Sequence, residues 1–172
     1  MEKLKFNIIE TEWGFAAAAA GRLGLRYLIL PKADKDQAFQ ALAQEAGEVK
    51  LAPEPKDPEL KRLALRLREY FQGRAVAWDF KLDFYTATPF QRQVWGVART
   101  IPYGRTETYG WVAGMLGDPD ARRAVGQALH ANPLPLLVPC HRVTAARGKL
   151  GGFSGGAELK SRLLQLERAI LT

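Results

Sequence analysis

The sequence predicts an α+β chain in two parts. Extended apolar segments come early, helical stripes follow, and the charge balance changes near residue 85. Residues 1–84 carry 14 Lys and Arg against 13 Asp and Glu, and residues 85–172 carry 11 against 5. Runs of strands followed by runs of helices favour α+β, and 172 residues suffice for one large core or two small ones. The parts are set at 1–84 and 85–172.

In the first part, Leu4–Ile9 and Leu25–Leu30 are apolar and β-branched enough for strands, bounded by Gly21, Gly24 and Pro31. The run Ala16–Ala20 favours helix by propensity. Gly14 and Gly21 leave too short a stretch for an independent helix, so a strand is expected. Asp57-Pro58-Glu59 supplies a cap, a first-turn proline and an acid at the positive helix end. Leu60, Leu63, Ala64, Leu67, Tyr70 and Phe71 give that helix one apolar stripe, and Gly73 can end it. Val76, Trp78, Phe80, Leu82 and Phe84 then alternate with smaller or polar residues, which marks an extended segment with one buried face.

In the second part, Thr88-Pro89-Phe90-Gln91 has the form of a capping box. Phe90, Val94, Val97, Ala98 and Ile101 form the stripe, and Pro102 ends it. A short helix is expected over 109–116. Gly117-Asp118-Pro119 makes the turn, with Asp118 capping a second helix that runs to about Ala131. Two short helices joined by a tight turn make a helix-turn-helix candidate, a pattern shared by any helical hairpin. Asn132-Pro133-Leu134-Pro135 stops the second helix, five glycines crowd 148–156, and a last amphipathic helix is expected over 157–170.

Composition narrows the function. One cysteine excludes an intrachain disulfide and a cysteine-cluster metal site, and two histidines leave little for a His-built one. No stretch is apolar for long enough to span a bilayer. Asn7, Glu10, Thr11 and Glu12 interrupt any signal-peptide core, so a cytoplasmic protein is expected. Nine of the 11 cations in 85–172 are Arg, which reads either as a polyanion-binding surface or as a soluble basic face.

The lone Cys140 follows Leu136-Leu137-Val138-Pro139 and precedes His141-Arg142-Val143. Cationic neighbours favour the nucleophilic thiolate. The alternative is a buried cysteine that only packs. The helix 122–129 is cationic at its start and otherwise carries small residues, which suits either a narrow groove or close helix packing.

Taken together, these residues resemble the O6-alkylguanine-DNA alkyltransferase family, which repairs DNA by direct reversal. The likeness runs through Thr88-Pro89-Phe90-Gln91, Val94-Trp95, Ile101-Pro102-Tyr103-Gly104, Thr108-Tyr109 and Arg123-Ala124-Val125-Gly126. It continues through Asn132-Pro133 and Pro139-Cys140-His141-Arg142-Val143. It ends with Gly151-Gly152-Phe153-Ser154-Gly155-Gly156, Lys160, Leu163-Leu164 and Glu167. Residues 1–84 match only in general character.

The resemblance implies an N-terminal α/β domain with a small antiparallel sheet, followed by a C-terminal winged-helix-like domain containing the helix-turn-helix. It implies a monomer that docks its recognition helix, with Ala124, Gly126, Ala128 and Leu129, in the minor groove of double-stranded DNA. The damaged nucleotide flips out of the stack. Arg123 would fill the vacated place and Tyr109 would press on the rotating phosphate. Guanine would meet the carbonyls of Cys140 and Val143, the Ser154 amide and the Tyr109 hydroxyl, with Pro135 and Phe153 as apolar walls. Glu167 would orient His141, His141 would take the Cys140 proton through a water, and Asn132 would brace the cysteine turn. The thioether formed is inert, so the protein acts once, without metal or organic cofactor. The substrate is O6-alkylguanine, with O4-alkylthymine as a second candidate.

Two departures stand out. Some relatives have Tyr where Phe153 stands, and others hold structural zinc in the N-terminal domain, for which this chain lacks the residues. Three other classes fit parts of the pattern: a lesion-binding relative lacking the reactive cysteine, a winged-helix regulator with an inert Cys, and a cysteine hydrolase.

Overall fold

A computed structural model describes residues 2–169. The chain divides into two compact units, with the boundary between Tyr85 and Thr86.

The first unit is a mixed sheet covered by two helices. Strands β1 (Lys3–Thr11), β2 (Gly14–Gly21) and β3 (Gly24–Lys32) form an antiparallel meander. Helix α1 (Lys35–Ala46) leads to β4 (Lys50–Pro53), which pairs parallel with β1. The order is β3-β2-β1-β4, so the expected antiparallel sheet gains a parallel edge strand. A parallel return needs a crossover, and α1 supplies it. Pro31 lies inside β3 rather than ending it; β3 is an edge strand of the ladder, where a missing donor is tolerated.

The alanine run is the middle strand, buried on both faces. Ala17 and Ala19 join Leu4, Ala38 and Leu42 in one cluster. Ala16 and Ala18 alternate to the opposite face and are equally inaccessible. Helix α2 (Pro58–Phe71) packs on β1 and β2, and its whole expected stripe is buried. Its cap is Asp57, whose side chain accepts from the Glu59 and Leu60 amides.

Residues 76–84 form no ladder strand, although the even-numbered side chains are the more buried ones as far as Leu82, after which buried Asp83 breaks the alternation. The segment is clipped to β3: Leu25 N–H donates to the Lys81 carbonyl at 2.8 Å and Asp83 N–H to the Leu25 carbonyl at 2.7 Å. A Cβ on Gly24 would lie 2.3 Å from the Lys81 oxygen, so the clip needs glycine there.

The second unit holds α3 (Pro89–Ala98), β5 (Glu107–Thr108), α4 (Tyr109–Met115), α5 (Arg122–His130), a short 3-10 turn (Cys140–Arg142), β6 (Val143–Thr144) and α6 (Ala157–Leu166). Thr88 closes the expected capping box with Gln91. Trp95 on α3 donates its indole N–H to the Ala128 carbonyl of α5 at 2.8 Å. Strands β5 and β6 pair parallel, Thr108 beside Thr144, which ties the start of α4 to the end of the cysteine motif.

Asp118 does not cap α5. Its carboxylate accepts from the Asp120 amide and its carbonyl from Ala121, so it is used up in a turn. The helix begins three residues later than the Asp-Pro pair suggested, behind Ala121, which makes no side-chain cap. Helix α6 runs to Leu166; Ile170, at the expected end, lies outside the described residues.

Candidate alkyl-transfer site

Cys140 opens the 3-10 turn and is 6% exposed, at one side of a cavity of about 440 Å³. The chain reaches it through a strained approach. Leu136 has φ 73° and is fully buried, a left-handed conformation that costs about 1–2 kcal/mol outside glycine. Asn132 organises this turn. Its carbonyl oxygen accepts from the Leu134 amide at 2.9 Å, and its Nδ2 donates to the Val138 carbonyl at 2.9 Å and to Cys140 Sγ at 3.2 Å. It therefore touches the sulfur as well as bracing the loop.

Behind the thiol lies a buried charge cluster. His141 Nε2 meets Glu167 Oε2 at 2.5 Å. Arg142 donates from Nε to Glu167 Oε1 at 2.7 Å, from Nη2 to Oε2 at 3.2 Å, and from Nη1 to the Ile101 carbonyl at 2.8 Å. The Gly104 amide donates to Glu167 Oε1 at 3.3 Å. The Ile101-Pro102-Tyr103-Gly104 motif is thus the seat of Glu167 and Arg142. Burial works against the Glu167 charge, but the bonds and charges of His141 and then Arg142 outweigh it and hold the carboxyl at about 2. An ionised carboxylate can only accept. Nε2 of His141 therefore carries the proton, and burial keeps the ring neutral by lowering its pKa. The other nitrogen, Nδ1, is buried with no hydrogen-bond partner in the protein and retains its lone pair.

This arrangement corrects the first reading of the thiol. His141 and Arg142 follow Cys140 in sequence, yet both side chains are engaged by Glu167. Burial pushes the thiol above its ordinary range, opposed by the Asn132 hydrogen bond, the Lys160 charge and the amides of Cys140 and His141. The resting sulfur is a thiol that needs a proton acceptor.

The cavity is walled by Tyr109, Arg123, Gly126 and Leu129 on one side and by Phe153 and Ser154 on another. The glycine-rich loop fits around Tyr109. A Cβ on Gly151, already at φ +74°, would lie 2.7 Å from the phenol oxygen. The hydroxyl donates to the Gly152 carbonyl at 3.2 Å. Of the two expected apolar walls, Phe153 lines this space and Pro135, half-buried, is not part of its lining. Of the residues expected at the groove, Ala124 is exposed on α5, whereas Ala128 is 4% exposed and packs inward. Val143 is fully buried, and its carbonyl accepts from Lys160 Nζ at 2.6 Å.

Lys160 is the residue that sequence reasoning quoted but gave no role. It is fully buried, donates also to the Gly152 carbonyl at 3.1 Å, and lies 5.6 Å from the Tyr109 ring centre. Burial lowers its ammonium to about 8 despite the opposing pull of Cys140. A signal was available: Lys160, Leu163, Leu164 and Glu167 share one helix face, so a cation sits on the apolar stripe. Gln127 and His130 also line the cavity without having been singled out. Among the described residues, no three His, Cys, Asp or Glu side chains gather as metal ligands, and no helix is long and apolar enough to cross a membrane.

A profile of the 6-O-methylguanine DNA methyltransferase DNA-binding domain matches residues 89–169. The methylated-DNA–protein-cysteine methyltransferase of Methanosarcina barkeri is 36% identical over 162 residues, covering 94% of this chain and 96% of that one. The chain belongs to this methyltransferase family. The family member from Mycolicibacterium paratuberculosis is 48% identical over 103 residues, but that match spans 62% of its length. The crystal structure of Mycobacterium tuberculosis OGT in complex with DNA superposes with a TM-score of 0.79 at 34% identity, covering 95% of this chain and 92% of that chain. The α+β architecture is thus the methyltransferase fold.

Proposed function

We propose that the protein repairs DNA by direct reversal. It takes the alkyl group from O6-alkylguanine in double-stranded DNA onto Cys140, once per molecule. The observation that carries this is a buried thiol held by Asn132 and followed in sequence by a histidine whose Nδ1 keeps an unbonded lone pair while an ionised Glu167 holds its Nε2. Asn132 Nδ2, 3.2 Å from the sulfur, stabilises charge as it develops there. The thiol proton passes through a water to His141, and Glu167 stabilises the imidazolium that results. The sulfur lone pair attacks the alkyl carbon, the carbon–oxygen bond breaks, and its electron pair leaves with guanine, which then regains a proton. Nothing in the cluster can cleave a thioether, so the reaction stops there.

The damaged base would occupy the cavity beside Cys140, with Tyr109, Phe153 and Ser154 around it and Arg123 at the duplex. Two groups assigned to guanine are internally bonded here: the Val143 carbonyl to Lys160 and the Tyr109 hydroxyl to Gly152. A carbonyl has a second lone pair, but the Tyr109 hydroxyl has to exchange partners to donate to a base. The reading is of a monomer working in the cytoplasm, where thiols stay reduced.

Intact-mass measurement after incubation with O6-methylguanine duplex tests the proposal. One stable methyl adduct on Cys140, absent in Cys140→Ser, is expected. No adduct would favour a DNA-binding regulator, and several turnovers per chain would favour a hydrolase.

A further inference from the structure

Beside the Cys140 cavity lies a second cavity, also of about 440 Å³, with a different lining. Thr108 and Gly110 of the β5–α4 junction, Arg122 and Arg123 of α5, and Ala145 after β6 line it. Tyr109, Arg122 and Arg123 line both cavities and so form the wall between them. Among the described residues, none that lines either one is acidic.

The position of Arg122 is set by a missing side chain. A Cβ on Gly110 would come within 3.0 Å of Arg122 Nε and 3.3 Å of Cζ. The guanidinium therefore lies against the bare backbone of α4, with the residue still exposed to solvent. Neither Arg122 nor Arg123 makes an ion pair among the described residues. Two adjacent cations facing a cavity with no carboxylate repel each other until an anion enters. Thr108 Oγ1 accepts from the Trp111 amide at 3.0 Å, which leaves its hydroxyl proton to donate.

We propose that this second cavity seats a DNA phosphodiester, gripped by Arg122 from its rest on Gly110. The inference builds on the DNA-repair reading above. A nucleotide whose base enters the first cavity remains joined to its strand, so its backbone has to pass the Tyr109–Arg123 wall. The chemistry beyond that wall matches a phosphate: a planar guanidinium fork, a second guanidinium and a hydroxyl donor. Residues 122 and 123 are neighbours in a helix and point about 100° apart, so they serve different tasks. Arg123 is free to enter the duplex because Arg122 holds the strand. Fixing a long side chain in advance also lowers the ordering cost of binding.

The test uses the full chain carrying Cys140→Ser, so that binding is read without transfer, and a duplex containing one O6-methylguanine. Dissociation constants are measured across a range of salt concentrations. Arg122→Ala should reduce the log–log salt slope by about 0.9, the value of one phosphate contact. Gly110→Leu fills the guanidinium's seat and should produce the same loss. The double variant should lose no more than either single one. Gly114→Leu, on an open stretch of the same helix with nothing within 4 Å of a built Cβ, should keep the parent slope. In chains retaining Cys140, the rate with free O6-benzylguanine should fall far less than duplex affinity for Arg122→Ala. An unchanged slope in Arg122→Ala, or additive losses in the double variant, would overturn the inference. A parent chain that binds no duplex would overturn the DNA reading itself, an outcome visible before any Arg122 variant is made.

Discussion

Two buried arginines anchor two carboxylate clusters, and they differ in what each cluster leaves unbonded. In the first unit Arg26 reaches Asp83 Oδ2 from Nε at 3.0 Å and from Nη2 at 2.5 Å, and grips both Glu2 oxygens at 2.7 Å. The Glu2 bonds first, against the cost of burial, and then Asp83 raise the guanidinium pKa, so its charge is permanent. In the second unit Arg142 shares one carboxylate, Glu167, with an imidazole. The first cluster has two anions for one cation and leaves no titrating group free. The second has one anion for a guanidinium and an imidazole, and His141 keeps a lone pair next in sequence to the thiol. The first cluster can only hold the 76–84 segment to β3. The second holds its turn and can also take a proton.

Removing Glu167 should produce the largest effect, because it damages both roles. Glu167→Gln cannot satisfy two Arg142 donors and the His141 ring as an anion does. Breaking a buried pair costs about 3–5 kcal/mol, and losing general-base assistance costs about 10²–10⁴-fold in rate. Chemical denaturation and single-turnover transfer from methylated duplex read the two losses. The carboxyl sits at about 2 in the folded protein against an ordinary 4.5. Its contribution is therefore present above about 4.5 and lost as pH falls through that window toward 2. The Gln variant should show no such acid-dependent loss from this site. A near-wild-type transfer rate at neutral pH would reject the orienting role.

Asp83→Asn should separate the two roles. It strips the buried partner from Arg26 and leaves Glu2, whose side chain is 43% exposed. A loss of about 3–5 kcal/mol is expected, with the transfer rate per folded molecule unchanged. If that rate falls alongside stability, the first cluster is not purely structural and the comparison fails.

How much of this was legible depended on range. Caps at Asp57 and Thr88 were readable because their partners lie within three residues. The Cys140-His141-Arg142 motif was readable as a string, but its geometry was not. Adjacency suggested two cations beside the sulfur, whereas Glu167, 26 positions from His141, engages both side chains. The left-handed Leu136 that helps aim the turn carries no residue-type signal, since glycine is the usual occupant of such a conformation. Strand β4 was missed because four residues show no periodicity and its partner, β1, begins the chain.

Lys160 sharpens the comparison from the side of charge, as the cation of the second unit that burial weakens. Its ammonium is lowered from 10.5 to about 8. Between those values the unfolded chain binds a proton that the folded chain does not, so stability should rise with pH across the window. The penalty is fully present below 8 and amounts to roughly 3 kcal/mol on the linkage scale. Lys160→Met should remove the slope, whatever it does to absolute stability. Denaturation of both proteins from pH 7 to about 10.5 reads the difference. A wild type that loses stability relative to Lys160→Met across that range would contradict the direction of the shift.

The smallest effect sets the scale for the others. Thr88 is exposed and uncharged; its Oγ1 accepts from the Gln91 amide at 3.1 Å and its own amide donates to Gln91 Oε1 at 3.0 Å. Losing an N-cap costs about 1 kcal/mol, because water replaces much of what the hydroxyl supplied. Thr88→Ala should therefore lower the unfolding free energy by about that amount. It should show no pH dependence, since nothing titrates, and no change in transfer rate, since Thr88 lies outside the cavity lining. If Thr88→Ala instead costs as much as Asp83→Asn, burial and charge are not what make the Arg26 cluster expensive to break, and the contrast between the two buried arginines loses its energetic basis.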